Sequence, residues 1–415
     1  MNRIQSISIF LLAILGWTAF LVFGITEGFV LRGITSGETS QAFISAAEQA
    51  VEREYVGNMA LVLIEDGEIA GRYFHSTDKP VTDSTVFAMA SVSKWVTAWG
   101  VFSLIERGAL DLDTPVDAYL TRWHLPESEF DNQEVTVKRL LSHTAGFVDD
   151  LGYAGFEPGV PVQTIEESLT QAADAPWSEG KARVGIEPGS QYMYSGAAYT
   201  LLQLVIEEVS GQPFQEFMID AVLTPLHMDH STFVWTDSST GDRATSFDSE
   251  GNVVAYSTFT ALAAASLNST VSDLALFLKA NTGPNAVLSA ESLEAMYTAH
   301  AFIGDTGIHA LGPTIFARSG DGVFIHGHDG SGGPAINTAA RLNLDTGDGI
   351  IVLETGHPNI ASSIADHWIF WKTGIADFVV ITANKNWLLF LLLSGYATII
   401  CLTILSGRRR KSRAA

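Results

Sequence analysis

The segment FAMASVSKWVTAWG, residues 87–100, sets Ser91 three positions before Lys94. In a helix that spacing puts both side chains on one face, a hydroxyl beside an amine. The same Ser-x-x-Lys spacing recurs in STDK (Ser76 to Lys79) and SEGK (Ser178 to Lys181). With 35 Ser and 8 Lys among 415 residues, chance alone gives roughly 0.7 such pairs, so context has to separate the three. Pro80 follows Lys79 and pushes it out of helical geometry. Gly180 interrupts the Ser178/Lys181 pair inside a Gly/Pro-rich loop. Around Ser91, by contrast, Val92, Trp95, Val96, Trp99, Phe102 and Ile105 recur at helical spacing up to Gly108. This pattern predicts a long amphipathic helix that Ser91 opens. A helix start offers unpaired N–H groups and the positive end of the dipole, which favour developing oxyanion charge. Ser93 lies roughly 200° further round the helical wheel. The bland alternative is an N-cap serine followed by a surface lysine. Lys94 beside Trp95 on an apolar helix counts against it, because burying an unpaired ammonium is costly unless the group is used.

Composition bounds the rest. The chain is long enough for one large or two moderate domains. Setting aside Arg3 and the five basic residues of the tail leaves 17 Lys and Arg against 46 Asp and Glu, a net charge of about −29 on the body. Such a surface repels nucleic acid and anionic lipid. Ile7–Ile25 is uncharged and just long enough to cross a bilayer. A cleavable signal peptide competes with an uncleaved anchor; the long apolar run and the lack of a small-x-small site favour the anchor. A second apolar run, Trp387–Leu405, is followed at once by SGRRRKSR, and that basic tail marks the cytoplasmic side. The expected layout is an anchor or signal at 1–30, an outward-facing body at 31–380, a membrane helix at 386–406 and a cytoplasmic tail at 407–415. The single cysteine, Cys401, lies in the second run, so no intrachain disulfide can form.

Within the body, MALVLIEDGEIAGRYF (59–74) alternates on either side of Asp66-Gly67 and reads as a hairpin. Helical periodicity dominates the middle: SGAAYTLLQLVIEEVSG closes on Gly211, and STVSDLALFLKANTG carries Thr270 and Asp273 at capping-box spacing. Near the end, GVFIHGHDG (322–330) and PAINTAARLNLDTGDGIIVLETG (334–356) return to a period of two before a helical IASSIADHWIFW. Strands at both ends with helices between predict an α+β fold, an α/β sandwich whose antiparallel sheet is formed from both ends of the body, with a mainly helical subdomain inserted. A cleft at their junction is the expected site.

Ser91 and Lys94 with their flanks, LLSHTAGF (140–147), PGSQYMYSGAAYTLLQLVIEEVSG (188–211), LTPLHMDHSTF (223–233) and HGHDGSGG (326–333) fall in the order seen in the class C β-lactamase family. The chain resembles these penicillin-recognising serine hydrolases, which include D-amino-acid peptidases and esterases, over about residues 42–372. The resemblance implies that Ser91 is the nucleophile, that Lys94 and Tyr194 activate it, and that the backbone N–H groups of Ser91 and Ser331 form the oxyanion hole. It matches the family's Tyr-x-Asn element to Tyr194-Ser195-Gly196 and its Lys/His-x-Gly element to His328-Asp329-Gly330, which would contact substrate. A lysine–tyrosine pair can share one proton at lower cost than either alone; burial lowers the lysine's pKa and a nearby cation lowers the tyrosine's.

Two literal matches mislead. KTG at Lys372–Gly374 follows the last helix of the body, and SLN at Ser266–Asn268 could stand for the Ser-x-Asn element of the related class A layout. A binuclear-zinc pattern at HGHD would need Asp at 330 and His at 331, where Gly and Ser stand, so no metal is expected. His143 and His326 read as loop-fixing and strand residues. Two positions depart from the family. Gly196 replaces the asparagine whose amide would hold a substrate's acylamino carbonyl, and His328 replaces the lysine that would attract a carboxylate. The expectation is a membrane-held hydrolase of a small ester, amide or short peptide with slow or absent β-lactam turnover and no cofactor; the other reading is a catalytically quiet binding module for a cell-wall peptide or partner protein.

Overall fold

The computed structural model describes residues 3–414 apart from 55–56, 150–151, 237–238, 240, 319–323 and 334. Of the expected elements, the first two residues of GVFIHGHDG, the proline that opens PAINTAARL and the last residue of the tail lie outside the described residues. The chain divides into two compact units, one of residues 47–365 and one of residues 1–46 with 366–415.

The larger unit holds β1 (Asn58–Glu65), β2 (Glu68–His75), β3 (Phe87–Ala88), β4 (Asn268–Ser269), β5 (Ala301–Ile303), β6 (Thr306–His309), β7 (Thr314–Arg318), β8 (Phe324–Gly332), β9 (Ile336–Asn343) and β10 (Gly349–Thr355). Eight of these form one antiparallel sheet in the order β2-β1-β10-β9-β8-β7-β6-β5, and β3 pairs with β4. The two ends of the unit meet in the sheet: β1 pairs with β10 from Asn58–Thr355 to Ile64–Gly349. β1 and β2 form the expected hairpin. Asp66 and Gly67 turn it with φ of 51° and 73°, the left-handed pair that a two-residue hairpin turn requires. β9 and β10 are buried on both faces along their whole length, and helix Val271–Ala280 packs on β1 and β10. Thr270 caps that helix, its hydroxyl accepting from the Asp273 N–H at 3.0 Å. The reciprocal half of a capping box does not form, because the Asp273 carboxylate is taken by the His230 N–H and the Ser231 hydroxyl.

The helix after Ser91 differs from the expectation. A 3-10 turn, Ala90–Val92, carries Ser91, and the α-helix runs Ser93–Glu106. It is not amphipathic: every residue from Ser93 to Leu104 is buried. The reason is its central position. Helices Gly196–Ser210, Phe214–Met218 and Leu262–Ala265 and strand β8 surround it. Trp95 meets Phe277 edge-on at 5.2 Å and donates to the Tyr297 hydroxyl at 3.1 Å, while Trp99 donates to Asn281 Oδ1 at 3.1 Å. The buried indole N–H groups of Trp95 and Trp99 therefore both have a partner.

β8 brings the sheet to the serine. Up to Gly327 it pairs with β7, but from His328 to Gly332 it pairs only with β9 among the described residues. The freed edge lies against Met89 and Ala90: a Cβ on Gly330 would overlap the Met89 carbonyl and the Thr338 hydroxyl. The Thr338 hydroxyl donates to that same carbonyl at 2.8 Å. Only a glycine lets the two backbones approach this closely.

In the smaller unit, helices Arg3–Thr26 and Lys385–Ala414 contain two segments, Ile7–Thr26 and Lys385–Ser406, long and apolar enough to cross a membrane by length and composition. They pack together, with the Thr18 and Tyr396 hydroxyls 2.7 Å apart and the Trp17 indole lying where a Cβ on Gly395 would fall. The Asn384 side-chain amide accepts from the Arg32 backbone N–H and donates to the Arg32 carbonyl, each at 2.9 Å. The KTG tripeptide also lies here: Lys372 and Thr373 end helix Ile360–Thr373, and Gly374 follows with φ 72°. It is a helix terminus, not a strand.

Candidate active site

Ser91 sits at the tip of a strained turn. Ala90, the residue before it, has φ 45°, a conformation that costs a non-glycine residue of order 1 kcal/mol and recurs at functional sites. The turn is pinned on both sides: the Ser93 hydroxyl donates to the Ala90 carbonyl at 2.5 Å and accepts from the Leu267 N–H at 2.9 Å. Ser93 is thus a brace, and the half-buried Ser91 keeps its hydroxyl for Lys94 and Tyr194.

Lys94, one turn on, is 2% exposed. Its ammonium donates to Ser91 Oγ at 3.1 Å and to the Ala264 carbonyl at 2.7 Å, and stands 4.9 Å from the centroid of the Tyr194 ring. Burial lowers its pKa to about 7, against the opposing pull of the Asp149 carboxylate. Neutral amine and ammonium are then both populated near neutrality, as a general base requires. Tyr194 hydrogen-bonds with Ser91, yet its pKa is raised. Desolvation of the phenolate outweighs the Ser91 hydrogen bond, and the nearby Tyr192, Asp329 and Asp149 push the same way, the reverse of the expected direction. Tyr194 is therefore a neutral phenol at physiological pH.

The other expected residues gather here with different degrees of freedom. Ser195, 1% exposed, is the N-cap of helix Gly196–Ser210, its hydroxyl accepting from Ala198 N–H at 2.9 Å. Gly196 is buried in the first turn. His328 is buried 6.2 Å from Tyr194, centroid to centroid. Its Nδ1 lies 2.6 Å from the Asp329 carbonyl; a carbonyl can only accept, so Nδ1 carries the proton and Nε2 presents a lone pair. Burial and the Lys94 charge hold its pKa well below the usual imidazole value. Asp329 forms an ion pair with the fully buried Arg341 at 2.8 Å. Gly330 meets Met89 as described, and Ser331 is exposed one residue before the end of β8. Ser76, Lys79, Ser178 and Lys181 belong to bends and loops. His143 fixes the loop as expected: it has φ 56° and its Nδ1 accepts from Ser195 N–H at 3.1 Å. His326 bonds only backbone carbonyls, of Phe324 and Tyr297. No group of three or more metal-ligating side chains occurs among the described residues.

The structure thus brings Ser91, Lys94 and Tyr194 together. The family model described as Beta-lactamase matches residues 43–379. The chain belongs to that family. Protein flp of Staphylococcus aureus (strain COL) is 24% identical over 226 residues, 52% of this chain and 43% of that protein. Esterase EstB of Burkholderia gladioli is 32% identical over 202 residues, 44% of this chain and 48% of that protein. The matched stretch thus spans less than half the length of either curated relative. Among solved structures, the octameric penicillin-binding protein homologue from Pyrococcus abyssi superposes with a TM-score of 0.68 at 27% identity, covering 81% of this chain and 79% of that one. A structure of SurE with D-Leu gives 0.60 at 23% identity, over 83% and 75%, a likeness of fold.

Against the family pattern, the structure adds residues that the sequence reading missed. Asp149 Oδ2 accepts from Ala197 N–H at 2.7 Å, and its carboxylate also takes the Ser195 hydroxyl. Together with His143 it clamps the Tyr194–Gly196 strip from two sides. A Cβ on Gly196 would come within 2.9 Å of the Tyr153 ring and 3.7 Å of Asp149 Oδ2. The space that an asparagine amide fills in the family pattern is thus filled from outside the strip, by Tyr153, whose hydroxyl bonds Thr200 Oγ1 at 2.8 Å. Only the position of Asp149, six residues after His143, could have flagged it, and that spacing carries no general signal.

Proposed function

We propose that the chain is a membrane-anchored serine hydrolase that acts through an acyl-enzyme on a small ester or amide. The observation that carries this reading is the buried Lys94 ammonium 3.1 Å from Ser91 Oγ, with a pKa near 7. Neutral Lys94 takes the Ser91 proton as Oγ attacks the carbonyl carbon, and the developing oxyanion is received by the backbone N–H groups of Ser91 and Ser331. The proton then passes to the leaving group, with the neutral Tyr194 phenol as relay. Water enters, Lys94 and Tyr194 remove its proton in the reverse sense, and the acyl group leaves as the acid.

The substrate reading rests on Gly196 and His328. With Tyr153 against Gly196, no side-chain amide holds an acylamino group. With His328 neutral and its Nε2 a lone pair, a substrate carboxylate meets an acceptor where the family pattern offers a cation. The name of Esterase EstB fits this preference. The two apolar helices and the basic tail support a membrane location with the larger unit outside the cytoplasm. A panel of p-nitrophenyl acetate, a D-alanyl anilide and a chromogenic cephalosporin tests the assignment. The acetate should show a kcat/KM at least about 100-fold above the cephalosporin; efficient cephalosporin hydrolysis would refute the substrate class.

Asp149 sets the working pH in this scheme. Lys94 faces Asp149, the neutral imidazoles His143, His309 and His328, and the phenols Tyr194 and Tyr199. Asp149 alone among them raises its proton affinity. Asp149→Asn keeps the shape and removes the charge, so Lys94 loses its proton more readily. The acid limb of the kcat/KM profile should move to lower pH by about one unit. A purely structural Asp149 would lower activity at every pH and leave the limb where it was.

A further inference from the structure

A cavity of about 680 Å³ opens in the larger unit between the 79–85 loop, His230 and residues 241–245. Arg243 lines it in an unusual state. Its guanidinium is sandwiched between Tyr256, 3.5 Å from the ring centroid, and Trp235, at 5.3 Å. Tyr256 is itself fixed by a 2.9 Å hydrogen bond to the Ala244 carbonyl. Nε is buried without a partner, and the guanidinium makes no hydrogen bond or ion pair among the described residues. Two other arginines have carboxylate partners. Arg341 pairs with Asp329, donates to the His328 carbonyl and stacks on Phe316; Arg122 binds Glu166, Glu207 and Glu208. In a chain with 46 acidic and 23 basic residues, a largely buried guanidinium with idle donors is not a folding device, since structure alone would give its donors carbonyls or a carboxylate. Burial lowers its pKa to about 10, so it is charged at neutral pH.

Lys79 stands on the rim of the same cavity, exposed and with no ion pair among the described residues, beside Thr82, Ser84 and Thr85, and Asp242 also lines it. The nearby Asp78 is already taken by Asn58 and Thr245.

We propose that this cavity is a second binding site, distinct from the Ser91 cleft, for a small ligand bearing a carboxylate or phosphate oxyanion. Arg243 receives the oxyanion through its planar fork, held in place by the two aromatic rings, and Lys79 adds charge at the mouth. The site is coupled to the chain that carries the nucleophile. Val86 exchanges backbone hydrogen bonds with Asp242 and Ala244 at 2.9 Å each, and Val86 leads through β3 to Ser91 in five residues.

Isothermal titration of the full chain in detergent with inorganic phosphate and, separately, with acetate tests the proposal and distinguishes the two oxyanions. One equivalent of at least one anion should bind with a millimolar or tighter Kd. Ser91→Ala should bind as the wild type does, Arg243→Gln at least tenfold more weakly and Lys79→Gln about threefold more weakly. Absence of stoichiometric binding by either anion overturns the proposal, as does unchanged affinity in Lys79→Gln, a surface change that leaves folding intact whatever happens to Arg243→Gln. Loss of binding in Ser91→Ala would assign the anion to the cleft and overturn it as well.

Discussion

Ser91→Ala should lower hydrolysis of p-nitrophenyl acetate by about 10⁴-fold or more in kcat, with little change in stability. The magnitude follows from the role: removing a nucleophile abolishes the covalent route and leaves only binding and oxyanion stabilisation. The small structural effect follows from the geometry. Ser93, not Ser91, braces the turn, through the Ala90 carbonyl and the Leu267 N–H. Ser93→Ala is the informative contrast. It should destabilise the fold by about 1–3 kcal/mol, because it removes the hydroxyl from the Ala90 carbonyl and leaves the buried Leu267 N–H unpaired. The measurements are steady-state kinetics and urea unfolding on both variants.

Lys94→Met should cost about 10³-fold or more in kcat/KM, the share expected of a positioned general base together with the charge it then carries. In the wild type the neutral amine is the active form, so kcat/KM should rise with pH through about 7 and level above it. In Lys94→Met that limb should disappear. Stability should move the other way. The folded state disfavours the ammonium, so between about 7 and 10.5 the unfolded chain holds the proton and the folded chain does not. Stability of the wild type therefore rises with pH across that window and carries its full penalty below it. Lys94→Met removes the penalty, and its melting temperature near pH 6 should equal or exceed that of the wild type. A stability that is lower at pH 6 and insensitive to pH would remove Lys94 from the role of buried base.

Much of the fold was legible because the sheet is made of strongly patterned strands. The Asp66-Gly67 turn, the strands flanking the 345–348 turn and the glycine after Ser210 each carry local chemistry that admits one conformation. Helix Ser93–Glu106 was read with the wrong environment for a physical reason. Its residues at apolar spacing are joined by Ala98, Gly100, Ser103 and Thr97, small or weakly polar groups that pack as well in a core as at a surface, and only the surrounding helices decide. Ser91 and Lys94 could be singled out because an apolar helix cannot conceal an ammonium. Asp149, Tyr153 and Arg341 could not, since their partners lie 47, 43 and 12 positions away in sequence, at Gly196 and Asp329. The strain at Ala90 is equally silent in the sequence, for alanine signals nothing about a positive φ. It sits where the free edge of β8 approaches Met89, a contact between residues far apart in sequence that requires Gly330.

The central claim is that Ser91 forms a covalent acyl-type intermediate, and the most direct measurement is intact mass followed by peptide mapping of the full chain after reaction with a fluorophosphonate. A single adduct is expected, on the peptide carrying Ser91, faster above pH 7 than below it and lost in Ser91→Ala. Esterase activity that persists while Ser91 remains unlabelled, or an adduct on Ser93 or Ser331 instead, would contradict it.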